Sequence, residues 1–221
     1  MRILVYNDQT QTMETWQRDC GEDMPYTRCG HLTVGMFRQG SQSRTLVWST
    51  RRFLRAVDQL AARSPARLKL SRAFERGWSG AQPMIMTHML GTALSFGSNL
   101  SGVGLQRLAT MIEDTGLFDY VSGLDQNPNQ LHVHQRNEMC SDFVPFAQIR
   151  KGSILTEVCV AQDVLWALGY EIPQIHGVFD EPLKRAVCAF QYDRQLKVDG
   201  VIGAQTWQAL MSTVRMVPGV D

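Results

Sequence analysis

Three of the five histidines in this 221-residue chain, His88, His132 and His134, have the type and spacing to do chemistry. His132 and His134 lie two apart in an alternating run, and on a strand side chains two apart share a face. Paired imidazoles on one face are a start for zinc, but a catalytic zinc needs a third protein ligand and an open position for water. Taken alone, a His-x-His pair is more often incidental than metallic. The five cysteines, Cys20, Cys29, Cys140, Cys159 and Cys188, are odd in number and include no Cys-x-x-Cys pair. A zinc knuckle or a disulfide framework is therefore not expected. Cys159 and Cys188 fall in helical patterns and read as small buried apolar residues.

The elements that must position the histidines are strands and helices intermixed. Arg2–Tyr6 reads as a strand, 8–30 as a polar loop, and Leu32, Val34 and Met36 alternate as a second strand. From Thr50, a plausible N-cap, Phe53-Leu54, Val57 and Leu60-Ala61 recur at helical spacing, and Ser64-Pro65 ends the helix. Leu68–Phe74 reads as a strand, 83–97 as an apolar segment carrying His88, and 102–114 as a helix stopped at Gly116. Short strands follow around 117–121 and 130–135, and 137–151, without periodicity, is the expected linker. Together these predict an α+β domain on a small antiparallel sheet, followed by an all-α unit.

That unit carries a phrase written twice. His176–Val187 reads HGVFDEPLKRAV and Asp199–Leu210 reads DGVIGAQTWQAL, each a Gly-containing turn leading into a helix. With Gly152-Ser153, Val158, Gln162, Leu168-Gly169-Tyr170, Phe190-Gln191 and Thr206-Trp207, the stretch resembles a three-helix peptidoglycan-binding domain of bacterial wall hydrolases. His176 for Asp, Asp180 for Gly and Leu183 for Thr depart from that family's pattern, all in the first turn. The resemblance implies peptidoglycan, glycan strands and stem peptides, as the partner of 152–217. Gly177, Gly200 and Trp207 are its candidate contacts, with Trp207 either core or groove floor.

Residues 1–136 resemble the zinc D-Ala-D-Ala carboxypeptidase family, which is grouped with lysostaphin-type peptidases and the hedgehog domain. The carrying motifs are His88-Met89-Leu90-Gly91-Thr92-Ala93-Leu94-Ser95 and His132-Val133-His134. The resemblance implies a metal site on His88 and on His132 or His134, with Ser95 where the family has an Asp ligand. A neutral hydroxyl is a poor zinc donor, so Zn2+ is expected to bind weakly or not at all. No Glu precedes His132 as general base, where Asn129 and Ser122 stand. The alternative is a three-His site with Asp119 or Asp125 as base, with His134 a further weak catalytic candidate. Arg72 or Arg76 could then clamp a terminal carboxylate in a bidentate fork.

Composition is that of an ordinary globular protein, 44% apolar and 19% charged with net charge +1, which argues against a general nucleic-acid binder. Residues 152–221 hold five Lys/Arg against eight Asp/Glu, net −3, leaving +4 for the rest. Much of that excess runs from Arg51 to Arg76, either a solvated face or one turned to an anionic polymer. No membrane span or export signal is read. Action at the bacterial wall then implies cytoplasmic synthesis with release by lysis, or a leader removed beforehand. Three functions remain open: a wall-binding protein with a degraded peptidase-like domain, an active zinc carboxypeptidase or endopeptidase on stem peptides, and a protein-interaction module. Oligomeric state is not read from the sequence.

Overall fold

The computed structural model describes residues 1–39, 45–64, 69–76, 83–97, 102–122, 124, 129–135 and 146–213. The fold is α+β with a helical C-terminal unit, as the sequence predicts. Instead of one small antiparallel sheet, however, the described residues of the N-terminal part form two sheets, the first of them mixed. In the first, β1 (Arg2–Asn7) lies between β2 (Thr12–Gln17), antiparallel to it, and β3 (Leu46–Thr50), parallel to it. A parallel neighbour requires a long crossover, and the stretch between β2 and β3 includes the short helix α1 (Val34–Phe37).

Two local readings are corrected here. The alternation at Leu32–Met36 belongs to α1, because the Thr33 hydroxyl accepts the Met36 N–H at 3.3 Å and caps a helical turn. The loop expected over 8–30 contains β2, which borrows its hydrogen bonds from β1. Strand β3 has no alternation in its sequence: Leu46-Val47-Trp48 is apolar throughout, as befits a strand buried on both faces.

Helix α2 (Arg51–Arg63) begins where β3 ends. Thr50 Oγ1 accepts the Phe53 N–H at 3.2 Å, and Phe53, Leu54, Val57 and Leu60 are buried. The second sheet is antiparallel in the order β4 (Leu70–Arg72), β5 (Ala93–Phe96), β7 (Leu131–His134), β6 (Tyr120–Val121). Helices α3 (Pro83–Met89) and α4 (Gly102–Thr115) accompany it.

The two sheets are tied at a turn. Trp48 Nε1–H donates to the Met89 carbonyl at 2.7 Å, and the Ser49 hydroxyl to the Gly91 carbonyl at 2.6 Å. At Gly91, φ is +70° and any Cβ would run into the Trp48 carbonyl, so only glycine lets β3 approach this closely.

The C-terminal unit is α5 (Thr156–Ala167), α6 (Glu181–Asp193) and α7 (Ala204–Thr213). Every residue of α5 from Thr156 to Leu165 is buried. The helix packs against α6 on one side and against β3 on another, so it is core to both halves. Of the expected linker, 137–145 lie outside the described residues. Phe146, Ala147 and Ile149 are buried against the C-terminal helices, with Ile149 bridging Ile202 and Phe146 stacked on Trp207 at 4.5 Å.

Candidate functional site

The strand register brings the histidines and Ser95 together. Ser95 faces His132 across the β5–β7 pair, and Ala93 faces His134. The turn at Gly91 returns the chain so that His88, in the last turn of α3, reaches the same point. Ser95 Oγ lies 2.9 Å from His88 Nε2 and 3.1 Å from His132 Nδ1. His132 Nε2 in turn lies 3.2 Å from His134 Nδ1 and 3.3 Å from Thr87 Oγ1.

Donor chemistry orders the protons along this chain. The Ala73 carbonyl can only accept, so His88 Nδ1–H, 3.0 Å away, donates to it. Burial holds His88 neutral, its pKa lowered to about 4, and holds His132 at about 3. His88 Nε2 is then bare and accepts from the Ser95 hydroxyl. Ser95 Oγ accepts from His132 Nδ1–H, which leaves His132 Nε2 to accept from Thr87 and from His134 Nδ1–H. Tyr120 stacks on His134 at 4.8 Å.

These residues do not fit zinc as the sequence readings arranged them. Zinc takes imidazole nitrogens at about 2.0–2.1 Å, and Ser95 Oγ occupies the point on which His88 and His132 converge. His134 lies on the opposite ring nitrogen of His132. Because the two nitrogens of an imidazole diverge, the three rings share no common coordination point. Among the described residues no cluster of three or more His, Cys, Asp or Glu could hold a metal. A serine donating to a histidine also suggests an activated nucleophile, but Ser95, His88 and His132 are at most 2% exposed.

The remaining peptidase-side candidates lie elsewhere. Asp119 pairs with Arg52 at 3.3 Å on the surface, and Asp125 lies outside the described residues. Arg72 pairs with Glu75 at 3.4 Å. Arg76 Nε donates to the Asp163 carboxylate of α5 at 2.9 Å, across the seam between the two halves. Burial raises the Asp163 pKa, and Arg76 pulls it back.

In the C-terminal unit each of the two turns is held by a glutamine, a role that sequence spacing alone did not disclose. Gln191 Oε1 accepts the N–H groups of Asp199 and Gly200 at 3.2 and 2.9 Å, while its Nε2 donates to the Val201 carbonyl at 2.9 Å. Gln162 Oε1 accepts the N–H groups of His176 and Gly177, both at 3.0 Å, and its Nε2 donates to the Val178 carbonyl at 3.3 Å. The signal was present as a glutamine in each preceding helix.

Gly177 and Gly200 take φ of +74° and +69°, the left-handed conformation that glycine adopts without strain. Their recurrence follows from turn geometry. A Cβ on Gly177 would collide with Met13 of β2, so the first turn is pressed against the N-terminal half.

The departures in the first turn compensate one another. Asp199 Oδ1 accepts the Val201 N–H at 2.9 Å, and His176 Nδ1 accepts the Val178 N–H at 3.1 Å in the corresponding place. His176 Nε2–H then faces Asp180 Oδ2 at 3.2 Å, and Asp180 Oδ1 caps α6 through the Leu183 N–H at 3.0 Å. Trp207 is core: it is 1% exposed and its Nε1–H donates to the Ala147 carbonyl at 2.9 Å.

Residues 155–210 match the family described as "Putative peptidoglycan binding domain". The match spans α5, α6, α7 and both clamped turns. A crystal structure of a peptidoglycan-binding protein from Clostridioides difficile, in complex with glutamine hydroxamate, is 41% identical over 28% of this chain and 39% of that chain, with a TM-score of 0.28. The similarity thus spans about two fifths of that protein's length.

Proposed function

We propose that this chain is a peptidoglycan-binding protein whose N-terminal α+β half does not carry out metal-dependent hydrolysis. The observation that carries the first part is the family match over 155–210. The presence of a glutamine clamp at both turns supports it, because the clamps keep the paired-turn scaffold intact despite His176. The second part is supported by the donor geometry around Ser95, where the hydroxyl stands between two neutral imidazoles and the third ring faces away. Association with the wall follows as the site of action. No described helix is long and apolar enough to cross a membrane.

The test is co-sedimentation of the full chain with purified peptidoglycan sacculi, with and without a strong chelator. The full chain is the right subject, since a cut at residue 152 would remove Phe146, Ala147 and Ile149 from the core and uncover α5. Retention on sacculi, unchanged by chelation and without release of stem-peptide fragments, is expected. A chain left in the supernatant overturns wall binding and leaves the protein-interaction reading. Chelator-sensitive fragment release overturns the non-hydrolytic part.

A further inference from the structure

We propose that the cleft between the two halves binds a sugar unit bearing a peptide carboxylate, that is, a fragment of the wall polymer held at a site distinct from the clamped turns. This rests on the wall-binding reading and deepens it. The cleft has a volume of about 360 Å3, within the usual range for small-ligand sites. One wall comes from the N-terminal half, with Arg2 and Leu46 at the starts of β1 and β3, and Arg76 beyond β4. The other is Trp166 with residues 172–175, between α5 and α6.

Its chemistry is specific. Helix α5 buries everything from Thr156 to Leu165 and then presents an indole that is 39% exposed. An exposed aromatic face suits the apolar face of a pyranose, and its rigidity makes the contact cheap in side-chain entropy.

Among the described residues the lining holds two arginines and no acidic residue. Arg76 is matched by Asp163 at 2.9 Å. Arg2 donates through Nη2 to the Ile175 carbonyl at 3.0 Å, and among the described residues it has no ion-pair partner. That hydrogen bond fixes the guanidinium at the cleft wall, ready for a carboxylate, the group whose geometry its fork matches. An indole beside a fixed cation selects a ligand with a sugar face and an anion, and peptidoglycan joins the two in one repeat.

The test is calorimetric titration of the full chain with a soluble disaccharide–tetrapeptide from peptidoglycan, and with the same fragment after amidation of its carboxyl groups. Wild type should bind the free-acid fragment. Trp166→Ala and amidation should each weaken it by about tenfold or more, with the variant still melting as one cooperative fold, which circular dichroism checks. Arg2→Gln should remove most of the preference for the free acid. If wild type is retained on sacculi but Trp166→Ala and amidation leave fragment affinity unchanged, or the fragment does not bind, the cleft proposal is overturned and wall binding stands. If wild type neither binds the fragment nor sediments with sacculi, the wall-binding reading fails with it.

Discussion

At position 95 a hydroxyl both gives and takes a hydrogen bond, which an ionised carboxylate could not do, and this one residue sets every proton from Ala73 to His134. The arrangement requires neutral rings at His88 and His132, and burial supplies them, with pKa values lowered from 6.5 to about 4 and about 3. Between those values and 6.5 the unfolded chain binds more protons than the folded one, so stability rises with pH. This contribution is complete above about pH 6.5 and is lost as pH falls toward 4 and then 3. Urea denaturation from pH 8 to 4 should show a loss on the order of a few kcal/mol for the two coupled rings together. Ser95→Ala should be less stable at neutral pH and differ in its acid slope. A flat profile across pH 4–7 would show that the rings are not held neutral.

The unit that organises the C-terminal helices is the pairing of a helix glutamine with the turn that follows. Each glutamine uses its oxygen for two backbone N–H groups and its nitrogen for a carbonyl, so both ends of the amide are spent. Gln191→Ala and Gln162→Ala each leave buried backbone groups unpaired and should cost on the order of 3 kcal/mol by chemical denaturation. Gln191→Glu keeps the acceptor but sets a buried carboxylate oxygen against Asp199 Oδ1, where Gln191 Nε2 now donates at 3.1 Å, and should be at least as costly as alanine at neutral pH. A glutamate variant as stable as wild type at pH 7 would mean that the donor half of the amide contributes nothing.

Much of this level was legible in the sequence. The doubled phrase, the Thr50 cap, the helix ending at Gly116 and the His-x-His strand follow from spacing or turn chemistry. The partners were not legible. That Ser95 faces His132 depends on a register between strands 37 residues apart in the chain, and that His176 can stand in for an aspartate depends on which ring nitrogen meets Val178. Trp166 and Arg2 carried no pattern, since one is a lone aromatic at a helix end and the other the first residue of a strand.

Across the whole molecule, the two halves are joined through buried structure. Helix α5 is enclosed on both sides, Arg2 reaches the Ile175 carbonyl, and the Arg76–Asp163 pair closes the seam with side chains only 14% and 12% exposed. Removing one partner of such a pair leaves an uncompensated charge. Arg76→Met should therefore cost roughly 3–5 kcal/mol at neutral pH. The Asp163 carboxyl, already raised by burial, rises further without its arginine. The deficit should thus shrink as pH falls and the carboxyl takes up a proton. Arg76→Met with Asp163→Leu should recover much of the loss. Thermal melts of the three proteins at pH 5 and pH 8 check this, and an Arg76→Met chain as stable as wild type at pH 8 would show that the pair does not hold the seam.

The contact of Met13 with the first turn bears on how divergence within a motif is to be read. Of two copies of one phrase, the copy that departs more from the pattern it resembles is the one lodged against the N-terminal half. Its changes come as a linked set, a ring nitrogen taking over a carboxylate's bond and a new aspartate meeting the other nitrogen. Such a copy answers to two surfaces at once. Its departures coincide with that docking, and the turn keeps its backbone hydrogen bonds all the same.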